Sequence, residues 1–224
     1  MKKLVEIILK KPRIKAFVLS KLLSPLDFRL LGFKERGYLF DIGWFKTGNG
    51  LHVDEEEEYI PQFSYPFLEI LKNKISNKMS VLEFGIGFSS IYFAKHCKSI
   101  TIVEHDPTWA KKIGDLLTNN STILLEENLD NYLAPLKKDD SVYDLVIIDG
   151  IGNLRNMCAE ASLDKISDKG IIIFDDTERS EYNEAIDKIV SKGFKRLDFW
   201  GIAPGAFNNR CTSIFYREGN IFDI

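Results

Sequence analysis

The sequence has few of the residues that staple small folds. Its three cysteines, Cys97, Cys158 and Cys211, are odd in number, far apart, and without CxxC or histidine spacing. Neither a disulfide framework nor a zinc site is expected of them, and they read as small buried hydrophobes. No run approaches the roughly 18 uninterrupted apolar residues of a membrane span, and the amino terminus lacks the small-residue cleavage site of a secretory signal. A cytoplasmic location is therefore expected. Repeats and low-complexity tracts are absent as well. What is present is 45% apolar residues in 224, which excludes disordered and collagen-like classes and suffices for one domain with a sizeable core.

Charge is unevenly placed. Residues 1–36 hold ten Lys or Arg against Glu6, Asp27 and Glu35, a net +7 that leaves −10 for the remainder of a chain of net charge −3. An acidic body is a poor nucleic-acid-binding core, so no nucleic-acid partner is expected. In the basic front, Leu4, Ile8, Phe17 and Leu22 belong to a helix-like apolar spacing interrupted at Pro12, which predicts two short amphipathic helices. Their apolar stripe packs either on the domain or on a second subunit of a homo-oligomer; peripheral contact with an anionic membrane through residues 1–36 is the less favoured alternative. Gly37 to Gly50, rich in Gly and aromatics, and the acidic run Asp54 to Glu58 read as a surface segment. The expected division is a basic helical extension and surface segment over 1–60 and an α/β domain over 61–224.

From Met79 onward, short apolar runs alternate with amphipathic stretches. Strands are placed at Ser80–Phe84, Ser99–Glu104, Thr122–Glu126, Tyr143–Asp149, Gly170–Asp175, Phe194–Trp200 and Cys211–Tyr216. Helices are placed at Ser89–Cys97, Pro107–Asn119, Leu129–Leu136, Leu154–Ile166 and Arg179–Lys192. Such alternation implies a mostly parallel sheet with helices on both faces. The last two strands have no helix between them and should pair antiparallel.

Ligands of such sheets bind beyond the carboxyl ends of the strands, where strand order reverses. The first candidate is Glu83-x-Gly85-x-Gly87 followed by Ser89 and Ser90, a strand entering a glycine turn and a helix. The glycines admit a ligand to the backbone, and the free N–H groups opening the helix favour an anionic group. The third glycine of a dinucleotide fingerprint is replaced by Ser90, and Glu83 suits an ammonium group better than a pyrophosphate. The second candidate, Glu104, ends the next strand about twenty residues on, where an acid holds ribose hydroxyls. Asp106-Pro107 reads as a helix cap and first-turn proline; His105 is either structural or a direct contact.

This ordered set, with a later strand ending in Ile148-Asp149-Gly150, resembles the class I S-adenosylmethionine-dependent methyltransferases over roughly Pro61 to Tyr216. The resemblance implies a Rossmann-like, mostly parallel seven-stranded sheet with the last strand antiparallel. It implies Gly85 and Gly87 at the methionine part of the cofactor, Glu104 on both ribose hydroxyls, and Asn128 to Asp130, with Asn128 and Leu129 foremost, beside adenine. Asp149, Asp175 and Asp176 are similar to the ligands of a magnesium-type ion in the metal-dependent O-methyltransferase branch, although the lysine expected three residues after the first aspartate is Gly152 here. An Asp-Gly, Arg, Asp-Asp order also resembles an uncharacterised bacterial subgroup. Arg155 is either a helix-start surface residue or an anchor for an anionic acceptor, since a guanidinium matches carboxylate or phosphate; Asp149 and then Asp176 are the candidate bases, and Ser64 and Tyr65, where related enzymes close over the cofactor, are candidate cofactor contacts. The implied activity is O-methylation of a sugar or small metabolite, with a nitrogen acceptor as the other possibility. An NAD(P)-dependent oxidoreductase and a methyltransferase-like binding protein without catalysis remain as alternatives.

Overall fold

The computed structural model describes residues 37–47 and 52–224. The basic front, with the burial expected for Leu4, Ile8, Phe17 and Leu22, lies outside the described residues. The chain divides into two compact units, one of residues 1–48 with 53–58 and one of residues 49–52 with 59–224.

In the first unit a single helical turn, α1 (Tyr38–Asp41), leads through Gly43 into a 3-10 turn at Trp44–Lys46. Gly43 has φ +71°, and a Cβ there would stand 2.6 Å from the backbone of Asp54 and Glu55, so this crossing admits only glycine. The acidic run is a turn rather than a row of free charges, because Asp54 Oδ1 accepts the Glu56 and Glu58 amides at 3.0 and 3.1 Å. Tyr38, Phe40 and Phe45 are exposed, as expected of a surface segment, but Trp44 is buried.

The second unit is built on a seven-stranded sheet in the order β3-β2-β1-β4-β5-β7-β6. Its strands are β1 (Ser80–Phe84), β2 (Ser99–Glu104), β3 (Ser121–Leu125), β4 (Tyr143–Ile148), β5 (Ile166–Phe174), β6 (Lys195–Gly201) and β7 (Arg210–Tyr216). The first five are parallel, and β7 runs antiparallel to both β5 and β6. The chain winds outward from β1 to β3 and returns to β4 on the other side of β1, so strand order reverses between β1 and β4. The central strands are buried on both faces, which explains their unbroken apolar character. Leu82, Phe84, Val146, Ile148, Ile172 and Phe174 enter one core cluster, while the alternate residues Val81, Leu145, Ile147, Ile171 and Ile173 are equally buried. Helices α2 (Tyr65–Lys74), α3 (Phe88–His96), α4 (Pro107–Gly114), α5 (Arg155–Lys165) and α6 (Asn183–Ser191) flank the sheet, with α2 on β6, α3 on β2, α4 on β3 and α5 on β4. No described helix is long and apolar enough to cross a membrane. The three cysteines are free and buried.

Three expectations of local structure are corrected. The helix expected at Leu129–Leu136 is two 3-10 turns, Leu129–Asn131 and Leu136–Lys138. Pro135 has no N–H to continue a helix and disfavours helical geometry at Ala134, while Asn128 Oδ1 accepts the Asp130 amide at 3.0 Å and starts a tighter turn. The short turns leave an open groove of about 610 Å³ on the sheet, lined by Thr101, Thr122, Leu124, Pro135 and Tyr143. The helix from Pro107 stops at Gly114 rather than Asn119, because the Asn120 side chain donates to the Ala94 and Cys97 carbonyls at 3.0 Å and draws the chain across the end of α3. The helix expected at Arg179–Lys192 opens as a 3-10 turn, Ser180–Tyr182, and becomes α-helical only at Asn183. The single turn α1 and the longer α2 went unrecognised in the sequence; α2 buries Phe67, Leu68 and Leu71.

The segment after β3 is fixed by Tyr132, which is buried and donates its hydroxyl proton to the Val103 carbonyl at 2.7 Å. That carbonyl also accepts Gly85 N–H at 2.9 Å. In Tyr132→Phe the carbonyl keeps one partner, so the loss is that of one ordinary hydrogen bond, about 1 kcal/mol, rather than of an orphaned group. Urea unfolding should show a lowered midpoint with unchanged slope; an unchanged midpoint would show that the bond does not hold the segment.

Candidate functional site

Local backbone geometry at the carboxyl ends of β1 and β4 sets the site. Gly85 has φ +94°, and a Cβ on it would lie 2.6 Å from the Gly150 Cα. The two turns therefore touch backbone to backbone, which a side chain at Gly85 would prevent. At Gly87 a Cβ would meet only Ser89 Oγ, at 3.6 Å, leaving room for a ligand against the main chain. The turn is closed by Ser90, whose Oγ accepts the Gly87 amide at 3.0 Å.

Beneath the turn lies Glu83, fully buried. Ser89 Oγ and Ser90 Oγ each donate to one of its carboxyl oxygens at 2.5 Å. Burial pushes its pKa up to about 8; the serine hydrogen bonds oppose the shift, and the neighbouring carboxylates Asp149 and Glu104 add to it. Glu83 is thus a protonated acid at neutral pH until a cation is brought against it.

Glu104, at the end of β2, is also buried and is turned toward the glycine turn. Its Oε2 accepts the Ile86 amide at 2.8 Å, and Oε1 accepts the His105 and Asp106 amides at 2.7 Å each. His105 Nδ1 lies 2.7 Å from the same Oε1, which makes the ring a support of Glu104. Asp106 caps α4 as expected, accepting the Thr108 and Trp109 amides. The Trp109 indole donates back to the Ile86 carbonyl at 2.7 Å, so both polar groups of the Ile86 peptide are held from the β2 side. Asn128 and Leu129 follow β3 and are exposed.

The aspartates are brought together at the ends of β4 and β5, but not as metal ligands. Arg155 enters between them. Its Nη2 donates to Asp149 Oδ1 at 2.8 Å, its Nη1 to Asp176 Oδ2 at 3.2 Å and to the Asp175 carbonyl at 2.8 Å, and its Nε to the Gly150 carbonyl at 2.9 Å. Arg210, opening β7, donates through Nε to Asp176 Oδ1 at 2.7 Å, through Nη2 to the same oxygen, and to Asp175 Oδ2 at 3.1 Å. Arg179 adds a contact to Asp176 Oδ2 at 2.7 Å. Guanidinium groups occupy the directions a divalent cation would need, and no group of three or more His, Cys, Asp or Glu among the described residues could hold a metal. The expected metal role of Asp149, Asp175 and Asp176 is corrected accordingly.

Two further roles change for the same reason. Asp176, its side chain 2% exposed and bound by three arginines, cannot serve as a base. Arg155 is buried and spent on these partners, so it positions Asp149 instead of anchoring an acceptor. Of the three aspartate side chains only Asp149 reaches solvent, at 22%. Burial raises the pKa of Asp149 and, more strongly, of Asp175, where the adjacent aspartates add to it.

Ser64 and Tyr65, the expected cofactor contacts, stand at the start of α2. Both are buried. Ser64 Oγ donates to the Phe199 carbonyl at 2.8 Å and its amide to Thr212 Oγ1 at 3.0 Å, and Thr212 Oγ1 in turn donates to Asp175 Oδ1 at 2.6 Å. The Tyr65 amide donates to the Ile202 carbonyl at 2.9 Å. These residues fasten the start of α2 to β6 and β7. Sequence reasoning missed Arg210, although an antiparallel last strand must begin at the carboxyl edge of β5. It also missed His52, whose ring meets Phe88 edge-on with centroids 5.4 Å apart and which no motif marks.

A raised carboxyl pKa has a definite sign. Folded Glu83 keeps its proton up to about pH 8, whereas the unfolded chain loses it near 4.5, so the folded state is destabilised as pH rises through that window. Glu83→Gln removes the titration. Its stability relative to the native sequence should improve between pH 5 and pH 8, by no more than about 1.4 kcal/mol per pH unit. Urea unfolding at several pH values measures this; a difference independent of pH would mean that Glu83 is ionised in the folded protein.

No protein-family model and no curated protein matches the chain. Several solved structures do. Precorrin-6y C5,15-methyltransferase from Geobacter metallireducens GS-15 is 15% identical, with TM-score 0.55 over 77% of this chain and 93% of that one. A candidate O-methyltransferase from Klebsiella pneumoniae is 14% identical, with TM-score 0.55 over 89% of this chain and 99% of that one. The O-methyltransferase TomG from Streptomyces achromogenes, involved in tomaymycin synthesis and solved with S-adenosylmethionine, is 12% identical, with TM-score 0.53 over 66% and 77%. At these identities the likeness is one of fold: the chain has the Rossmann-like fold of these methyltransferases.

Proposed function

We propose that the chain is an S-adenosylmethionine-dependent methyltransferase that methylates a hydroxyl of a sugar or another small metabolite. The observation that carries this reading is the pairing of two buried carboxyl groups around one open glycine turn. Glu83, below Gly85 to Gly87, is a protonated acid that an ammonium group would ionise, and Glu104, beside the turn, has only one partner on Oε2, leaving an acceptor site for a ribose hydroxyl. Together they suit a ligand carrying an amino acid at one end and a nucleoside at the other. Asn128 and Leu129, exposed after β3, would flank the base.

A dinucleotide fits this site less well. The third glycine of its fingerprint is Ser90, whose side chain is buried and closes the turn, and a carboxyl group beneath the turn opposes a pyrophosphate. A magnesium-type ion does not fit, because its expected ligands are taken by arginine.

Bound here, the cofactor supplies an electrophilic methyl group on a sulfonium. The protein's part is alignment and exclusion of water, which together lower the barrier to in-line transfer. Gly85 and Gly87 admit the ligand to the backbone, Glu83 and Glu104 fix its two ends, and Asp149, held by Arg155, offers a carboxyl oxygen at the mouth of the site.

Two outcomes are expected. Calorimetry with S-adenosylhomocysteine should show binding to the native protein and roughly tenfold or more weaker binding to Glu104→Gln, the loss of one charge-assisted hydrogen bond or more; equal affinities would remove Glu104 from the site. Transfer of labelled methyl from S-adenosylmethionine to a panel of monosaccharides, sugar nucleotides and small phenols should identify an acceptor, and the rate should be unchanged by EDTA. A rate abolished by EDTA and restored by Mg²⁺ would contradict the arginine-filled aspartate cluster.

A further inference from the structure

Asp176 is buried under three guanidinium groups, and Asp149 carries Arg155 on Oδ1, so the histidines stand beside Asp149 as groups that could take the acceptor's hydroxyl proton. The chain has three histidines. His96 Nδ1 is 2.8 Å from the Tyr92 carbonyl at the far end of α3, and His105 is paired with Glu104. His52 is different. It is half-buried, and no described residue hydrogen-bonds its ring.

Its ring is packed between the start of α3 and the loop joining β6 to β7. On one side Phe88, which opens α3 directly after the glycine turn, meets the imidazole edge-on, and Tyr59 stacks on Phe88 with centroids 5.1 Å apart. On the other side lies Gly205, in the loop between β6 and β7, where a Cβ would approach His52 Nε2 and Cδ2 to 3.7 Å. Beyond that loop Arg210 begins β7. Among the described residues the charged group acting on the ring is Arg210 from β7; Phe88 and Gly205 bring no charge. Burial, and then the Arg210 charge, lower the imidazole pKa below its ordinary value, which keeps the ring in its basic form at neutral pH.

We propose that His52 is the general base of the reaction, a catalytic residue that takes the acceptor's hydroxyl proton as the methyl group is transferred. The inference presupposes the methyl transfer proposed above. In the step, an oxygen lone pair of the acceptor forms the C–O bond. The C–S bond breaks with its electron pair going to sulfur, leaving a neutral thioether, and the hydroxyl proton passes to an imidazole nitrogen. The imidazolium so formed stands near Arg210, which favours prompt release of the proton to water.

The test uses the full chain with S-adenosylhomocysteine, then with the acceptor returned by the labelled-methyl panel. His52→Phe keeps an aromatic ring on Phe88 while removing the base. The ¹³C-histidine signal that this variant lacks should titrate below pH 6.5 in the native complex, and the variant should bind S-adenosylhomocysteine within about twofold of native. Its turnover should fall by about 10² to 10⁴, with loss of the acidic limb of the pH profile, and free imidazole should restore part of the rate in His52→Gly. Native-like turnover in His52→Phe, or an acidic limb retained in its pH profile, overturns the assignment. Failure of the native protein to bind S-adenosylhomocysteine is a separate result, which overturns the methyltransferase reading and this inference with it.

Discussion

The site depends on one close approach, that of Gly85 to Gly150. Two parallel strands that diverge in connection, β1 leading to β2 and β4 leading to β5, end in turns whose backbones meet closer than any Cβ permits. Each polar feature is referred to this contact. Gly85 and Ile86 are held by β2 through the Val103 carbonyl and the Glu104 carboxylate. Gly150 is held by the Arg155 Nε. A shift of the two turns would move Glu83, Glu104 and Asp149 together, so the glycines fix the spacing of three carboxyl groups as well as the room for a ligand.

The arginine–aspartate cluster extends that contact across the sheet. Arg155 links β4 to the end of β5, and Arg210 links β5 to β7. Buried ion pairs of this kind add little net stability, since desolvation offsets attraction, but removal of one member leaves an uncompensated charge that costs about 3–5 kcal/mol. Their effect is therefore positional. Asp176, between three arginines, adopts φ +61°, a left-handed conformation unusual for a residue other than glycine. The cluster turns what would be a cation site into a rigid rim and leaves Asp149 as its only partly exposed carboxyl group.

Much of this was legible in the sequence, because the signals are local. Unbroken apolar runs mark strands buried on both faces, and Glu83-x-Gly85-x-Gly87 followed by Glu104 at the next strand end marks the turn and its acid. What the sequence hid is pairing at a distance. Nothing near Asp149 or Asp175 reveals that Arg155 and Arg210 will come between them, and an Asp-Asp pair reads equally well as metal ligands or as arginine partners. Ser64 stands before the domain where a cofactor contact is plausible, yet its hydroxyl is spent on Phe199, 135 residues away. At Leu129–Leu136 the apolar spacing outweighed Pro135, when the proline and the Asn128 cap decide the local structure. His52 belongs to no motif; only the packing of Phe88 and the return of the loop at Gly205 give it a place.

The central claim is that this glycine turn receives an amino-acid nucleoside rather than a dinucleotide. Thermal unfolding of the full chain with saturating S-adenosylhomocysteine, NAD or NADP tests it most directly. A ligand at about one hundred times its Kd stabilises by about 2.7 kcal/mol, which for a chain of this size raises Tm by roughly 5–10 °C. The account predicts such a rise with S-adenosylhomocysteine and none with either dinucleotide; a rise with NAD or NADP and none with S-adenosylhomocysteine would contradict it.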